Sequence, residues 1–108
     1  MRLDFVQVRA SDWRRSLAWW RDTLGLPVLL ADEAGGFALL DAGAARIAIK
    51  QGVPAPTGIL LAFAVDDADA WAARVGMIAQ DDAEGYRRVR LADPDGHAVV
   101  LFQPAQPS

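Results

Sequence analysis

Few side chains in this 108-residue sequence could do chemistry, and their spacing narrows the choice further. There is one histidine, His97, and no cysteine, which removes disulfides, thiolate metal sites and a cysteine nucleophile. His97 closes the segment Asp93-Pro94-Asp95-Gly96-His97. Two carboxylates beside an imidazole have the composition of an acid–base or metal centre. The intervening proline and glycine, however, are the residues of a tight turn. On such a turn a histidine lacks the positioned partner that a general base needs. Tyr86 or an arginine could still act as an acid or electrophile. The remaining chemistry is cationic. Arg9, Arg46, Lys50, Arg88 and Arg90 are five of eleven basic residues, and strand alternation puts them on the same side as Phe5, Leu60 and Val100. Either they form an anion-seeking cluster or they are solvated strand ends paired with nearby acids; both readings stay open.

The elements that must position these groups follow from periodicity. Residues 3–10 alternate as a strand, with Val6 and Val8 on one face and Phe5, Gln7 and Arg9 on the other. Ser11 is a suitable N-cap for a helix in which Trp13, Leu17 and Trp20 form one stripe. Gly25 supplies a left-handed C-cap, and Pro27 bars continuation. Strands are expected at 28–31, 37–41 and 46–51. Residues 53–58, rich in proline, read as a linker. A strand at 59–65 then leads into a helix capped by Asp66 and ended by Gly76, with Trp71 and Val75 on its buried side. Strands at 77–80, 86–92 and 98–103 complete the order; 81–85 is an acidic turn and 104–108 a frayed tail. Of the four tryptophans, Trp13, Trp20 and Trp71 suit helix–sheet packing. Trp19 cannot fully share the face of Trp20, and it suits a core margin, a subunit contact or the rim of a pocket.

The order is one unit written twice. Residues 5–12 and 60–67 are both strand-like runs ending in Ser-Asp or Asp-Asp before a helix, offset by 55 residues. The expected fold class is α+β: one domain over 1–108, built from two βαβββ modules (1–52 and 58–103) that form a cupped mixed sheet with helices on its outer face.

The motifs Ser11-Asp12, Trp19-Trp20-Arg21-Asp22-Thr23-Leu24-Gly25-Leu26, Val65-Asp66-Asp67 and Asp93-Pro94-Asp95-Gly96, in this order over nearly the whole chain, resemble the vicinal oxygen chelate superfamily. That group includes glyoxalase I, extradiol dioxygenases and bleomycin resistance proteins. The resemblance implies a divalent metal held by four positions, which fall here on Phe5, Ala48, Leu60 and Val100. None carries a donor for such an ion. Same-face neighbours, among them Gln7, Arg46, Lys50, Ala62 and Phe102, make no metal triad either. The resemblance therefore points to the metal-free, bleomycin-resistance-like members, and to a dimer that builds the ligand clefts.

Composition agrees with a folded binding protein. A hydrophobic content of 53% excludes disorder, and a net charge of −3 gives nucleic acid no general electrostatic reason to bind. No apolar run suits a membrane span and no signal peptide is evident, so a cytoplasmic protein is expected. The expected function is sequestration of a small organic molecule, aromatic or conjugated, such as an antibiotic or other secondary metabolite. Phe5, Ala48, Leu60, Val100 and Phe102 would form its floor, Gln7, Arg9 and Arg90 its polar selectors, and Trp19 its rim. No cofactor, metal or catalytic residue is expected, and a homodimer is. The alternatives are a lyase, isomerase or dioxygenase of the same superfamily, with a displaced metal site or a metal-free mechanism, and a scaffold that has kept only the fold.

Overall fold

The computed structural model describes residues 2–82 and 85–104. Ala83 and Glu84 of the expected acidic turn, and residues 105–108 of the expected tail, lie outside the described residues. The chain carries two four-stranded mixed sheets and two α-helices, an α+β architecture. The described residues fall into two compact units. One comprises 2–57 with 93–97, and the other comprises the remainder.

In the first unit, β1 (Phe5–Ala10) leads to α1 (Trp13–Ala18), which runs on into a five-residue π-helical turn (Trp19–Thr23). Then come β2 (Val28–Asp32), β3 (Phe37–Asp41) and β4 (Arg46–Gln51), in the sheet order β1-β4-β3-β2. β1 runs parallel to β4, with Phe5 opposite Arg46, Gln7 opposite Ala48 and Arg9 opposite Lys50. One sheet face is core: Val8, Ala10, Ala38, Leu40, Ile47 and Ile49 are buried there. The helix lies against that face, where the Trp13 amide donates to the Gln51 side chain at 2.9 Å. Trp13, Leu17 and Trp20 are buried as one stripe, as the sequence spacing requires.

The second unit repeats this order with β5 (Leu60–Ala64), α2 (Ala68–Val75), β6 (Gln80–Asp81), β7 (Arg87–Ala92) and β8 (Ala98–Gln103), arranged β5-β8-β7-β6. Here Leu60 pairs with Ala98, Ala62 with Val100 and Ala64 with Phe102. Val89, Val99 and Leu101 fill its core. The two registers superimpose position by position: Phe5 corresponds to Leu60, Ala48 to Val100 and Leu39 to Arg90.

Helix boundaries differ from the sequence reading in instructive ways. The N-caps are Asp12 and Asp67, not Ser11 and Asp66. Each carboxylate accepts the amide three residues on, at 3.3 Å from Arg15 and 3.0 Å from Ala70. A carboxylate there also meets the positive end of the helix. Ser11 instead gives its hydroxyl to Asp95 at 2.6 Å. Gly25 and Gly76 both adopt the left-handed conformation (φ 74° and 72°) that ends a helix. On α2 the buried residues are Ala68 and Ala72, while Trp71 and Val75 are only half-buried. Small side chains let the helix approach its sheet closely, and Trp71 is left on the flank with the Arg74 guanidinium 4.7 Å above its ring. The short strand expected at 77–80 narrows to Gln80–Asp81.

Candidate functional site

The sheet face opposite each helix carries the candidate residues, and strand pairing fixes its membership. In the first unit that face holds Phe5, Gln7 and Arg9 from β1, Arg46, Ala48 and Lys50 from β4, and Leu39 and Asp41 from β3. Phe5 is 48% exposed, which is high for so large an apolar side chain, whereas Ala48 is buried. The cations of β4 are engaged within their own unit. Arg46 forms an ion pair with Asp4, and Lys50 donates to the Gly35 carbonyl at 2.9 Å while lying 5.6 Å from the Phe37 ring centre. A cleft of about 300 Å³ opens beside the Arg46–Asp4 pair, with Leu29 and Asp41 in its wall. Trp19 is not on this face. It belongs to the helical layer on the other side of the sheet, half-buried and edge-on to Trp20 at 5.2 Å.

In the second unit the corresponding face holds Leu60, Ala62 and Ala64 from β5, Ala98, Val100 and Phe102 from β8, and Arg88, Arg90 and Ala92 from β7. It is apolar apart from the two arginines and Gln80 of β6, which stands opposite Arg88, and Asp82 stands opposite Tyr86 just beyond that strand. Where β5 begins, β7 ends and β8 begins, a cleft of about 470 Å³ is lined by Leu60, Met77, Arg90, Ala98 and Val100 among others. Leu60 is 50% exposed and Met77 47%. Among the described residues Arg90 forms no hydrogen bond or ion pair, and neither does Arg88, whereas Arg87 on the opposite parity is taken up by Asp69 at 3.0 Å and Asp81 at 3.3 Å. The hydrogen bond to Asp69 and the nearby negative charges hold the Arg87 pKa above its ordinary value. Phe102 sits edge-on to Tyr86 at 5.8 Å.

Leu60, Arg90 and Val100 line one cleft, and Phe102 shares their face without lining it. Phe5, Gln7, Arg9 and Ala48 share the face of the first unit. Met77 was missed because the sequence reading put it in a strand at 77–80, whereas it lies in the irregular link between α2 and β6.

His97 also departs from expectation. It is buried, not a solvated turn residue, and it has a partner. Its Nδ1 donates to the Asp93 carboxylate at 2.8 Å. The same carboxylate accepts the Trp20 indole N–H at 3.3 Å and the amides of Asp95 and His97 at 3.0 and 2.8 Å. Four donors converging on one buried acid make an anchor for the turn.

The family's four metal-ligand positions correspond here to a phenylalanine, an alanine, a leucine and a valine. Such a donor set cannot hold a divalent ion. Among the described residues, no three His, Cys, Asp or Glu side chains gather as a metal centre elsewhere.

The family model described as a glyoxalase-like domain matches residues 5–102. No curated protein matches the sequence. Among solved structures, a lactoylglutathione lyase from Agrobacterium tumefaciens is 20% identical with a TM-score of 0.77, covering 94% of this chain and 92% of its own. A protein of unknown function from Agrobacterium tumefaciens str. C58 is 27% identical with a TM-score of 0.79, covering 97% and 95%. TioX from Micromonospora sp. ML1 is 21% identical with a TM-score of 0.77, covering 95% and 98%.

Proposed function

This chain belongs to the glyoxalase-like domain family, and from that premise we propose that it binds a small organic molecule without metal or catalysis, as a sequestering protein of the resistance type. The observation that carries this reading is the apolar cleft of about 470 Å³ on the second unit. A cleft of that size and lining takes a compact, aromatic or conjugated molecule. Its floor is Leu60 and Val100, two of the positions at which metal-binding relatives would need ligands, so the surface that would hold a reacting centre holds apolar contact area instead. An antibiotic or other secondary metabolite is the concrete version of such a ligand. Action in the cytoplasm as a homodimer is part of the same proposal; no described helix is long and apolar enough to cross a membrane.

A thermal-shift screen against aromatic metabolites and antibiotics tests the reading. A ligand present at about 100 times its Kd adds about 2.7 kcal/mol of apparent stability. The shift should disappear in Leu60→Glu, and the hit should be recovered chemically unchanged after incubation. Turnover of the hit would refute the binding-only reading.

A further inference from the structure

We infer that the ligand of the second unit's cleft carries an anionic group, a carboxylate, sulfonate or phosphate, which Arg90 holds against an apolar body seated on Leu60, Met77 and Val100. The inference rests on the reading of that cleft as a small-molecule site and adds the charge and orientation of what enters it.

Comparing the two copies of the module supports this. Both put cations on the sheet face opposite the helix, but around their clefts they treat them differently; Arg9, exposed on the first copy's face, has no ion pair among the described residues but does not line that copy's cleft. In the first copy Arg46 is neutralised by Asp4, and Asp41 lies in the wall of the same cleft. Lys50 is tethered to a backbone carbonyl. An anion entering there would have to displace a carboxylate already in place. In the second copy the register position of Leu39 is taken by Arg90, and that of Phe37 by Arg88. Neither arginine makes a hydrogen bond or ion pair among the described residues. Of the acids of this unit, Asp67 caps α2, Asp69 and Asp81 hold Arg87, and Asp82 accepts the Tyr86 amide.

Two like charges two residues apart on one strand face repel each other, and among the described residues no carboxylate forms an ion pair with either. In a protein of net charge −3 this is a local positive field over an apolar surface. A guanidinium presents its donors as a planar fork matched to a carboxylate, sulfonate or phosphate. Next to a wall that excludes water, such a pair is stronger than it would be in bulk solvent.

Two fluorescent dyes of nearly the same shape separate the contributions. Anilinonaphthalene sulfonate is an apolar aromatic anion, and N-phenylnaphthylamine lacks the sulfonate. Both are titrated into the intact protein and into Arg90→Gln, Arg90→Lys and Arg46→Gln, with circular dichroism confirming that each variant is folded. Arg90→Gln should weaken the sulfonate dye about tenfold or more and leave the neutral dye within about twofold. Arg90→Lys should fall between, since it keeps charge but loses the fork, and Arg46→Gln should bind both dyes as the parent does. If both dyes bind and Arg90→Gln leaves the sulfonate dye unchanged, or weakens both equally, the anionic group is refuted while the apolar cleft stands. An equal loss of the sulfonate dye in Arg46→Gln would refute the assignment to the second copy. If neither dye binds at millimolar concentration, the small-molecule reading itself fails, and this inference fails with it.

Discussion

Replacing Asp93 should be the most damaging single change at any polar residue of the first unit. Its side chain is fully buried, and four donors depend on it: the Trp20 indole, the His97 ring and the amides of Asp95 and His97. Asp93→Ala strands those donors where water has poor access, and each buried group left without a partner costs about 1–3 kcal/mol. Relief of the buried carboxylate's own desolvation offsets part of that. A net loss of about 3–5 kcal/mol is expected, the usual range when one partner of a buried pair is removed. At roughly 4 °C per kcal/mol for a domain of this size, the melting temperature should fall by about 12–20 °C. Urea unfolding followed by tryptophan fluorescence measures this, and a cycle with His97→Ala isolates the pair. The double variant should be at least about 1 kcal/mol more stable than additivity predicts, because the two single changes remove the same interaction. A loss under about 0.5 kcal/mol for Asp93→Ala, or strict additivity in the cycle, would refute the idea that this acid anchors the turn.

Other outcomes follow from the same geometry. Leu60→Glu should leave the fold intact, since the side chain is half-exposed on the cleft face. Leu61→Glu, on the opposite parity beside buried Val99, should cost several kcal/mol by forcing a carboxylate toward the core; equal unfolding of the two in urea would make the Leu60 face ordinary core. Asp12→Ala and Asp67→Ala should each cost about 1 kcal/mol in the same assay through loss of an N-cap, with Asp66→Ala near neutral as the comparison. Elemental analysis of protein purified without chelator should find less than about 0.1 divalent metal per chain, as the donor set requires; near-stoichiometric metal would overturn the binding-only proposal. Light scattering should give about twice the 11.6 kDa chain mass, because Val28, Leu29 and Leu30 are exposed on β2, which ends its sheet, and an apolar edge strand favours pairing; a monomer at micromolar concentration would contradict this.

The sequence made the backbone plan legible because that plan is written in short-range signals. Strand faces follow from a period of two, so the parity of Phe5, Gln7 and Arg9, and of Leu60, Val100 and Arg90, could be read without coordinates. The glycines closing both helices were equally readable, since few other residues accept a positive φ. The failures came where neighbours of equal propensity compete. Ser11 and Asp12 are both good caps, and so are Asp66 and Asp67; only tertiary demand separates them. Ser11 is claimed by Asp95, leaving Asp12 to the helix. Trp71 was assigned to the core because it is large and apolar, but the spacing between helix and sheet is set by Ala68 and Ala72. The burial of the Asp93–His97 pair had no local signal, because Asp93 also takes the indole N–H of Trp20, 73 positions away in sequence. Which cations are neutralised was hidden for the same reason: Arg46 meets Asp4 only once β1 and β4 lie side by side.

The duplication lets the two copies be compared position by position. Both copies keep the same strand order and register, so each position in one has a counterpart in the other, and differences between counterparts are differences of chemistry alone. At the four positions where metal-binding relatives need donors, both copies carry hydrocarbon, and neither copy can restore the site by itself. Above that floor the copies diverge. The first pairs Arg46 with Asp4 beside its cleft and leaves Arg9 away from it. The second has Arg90 beside an apolar cleft with no ion pair among the described residues. Apolar area supplies affinity with little direction, whereas a single unpaired guanidinium fixes which end of a ligand enters and rejects a ligand with nothing to offer it. In the proposed binding role, where no metal donor stands at those positions to orient a ligand, Arg90 is the simplest orienting group, because it acts through charge without supplying a reactive centre.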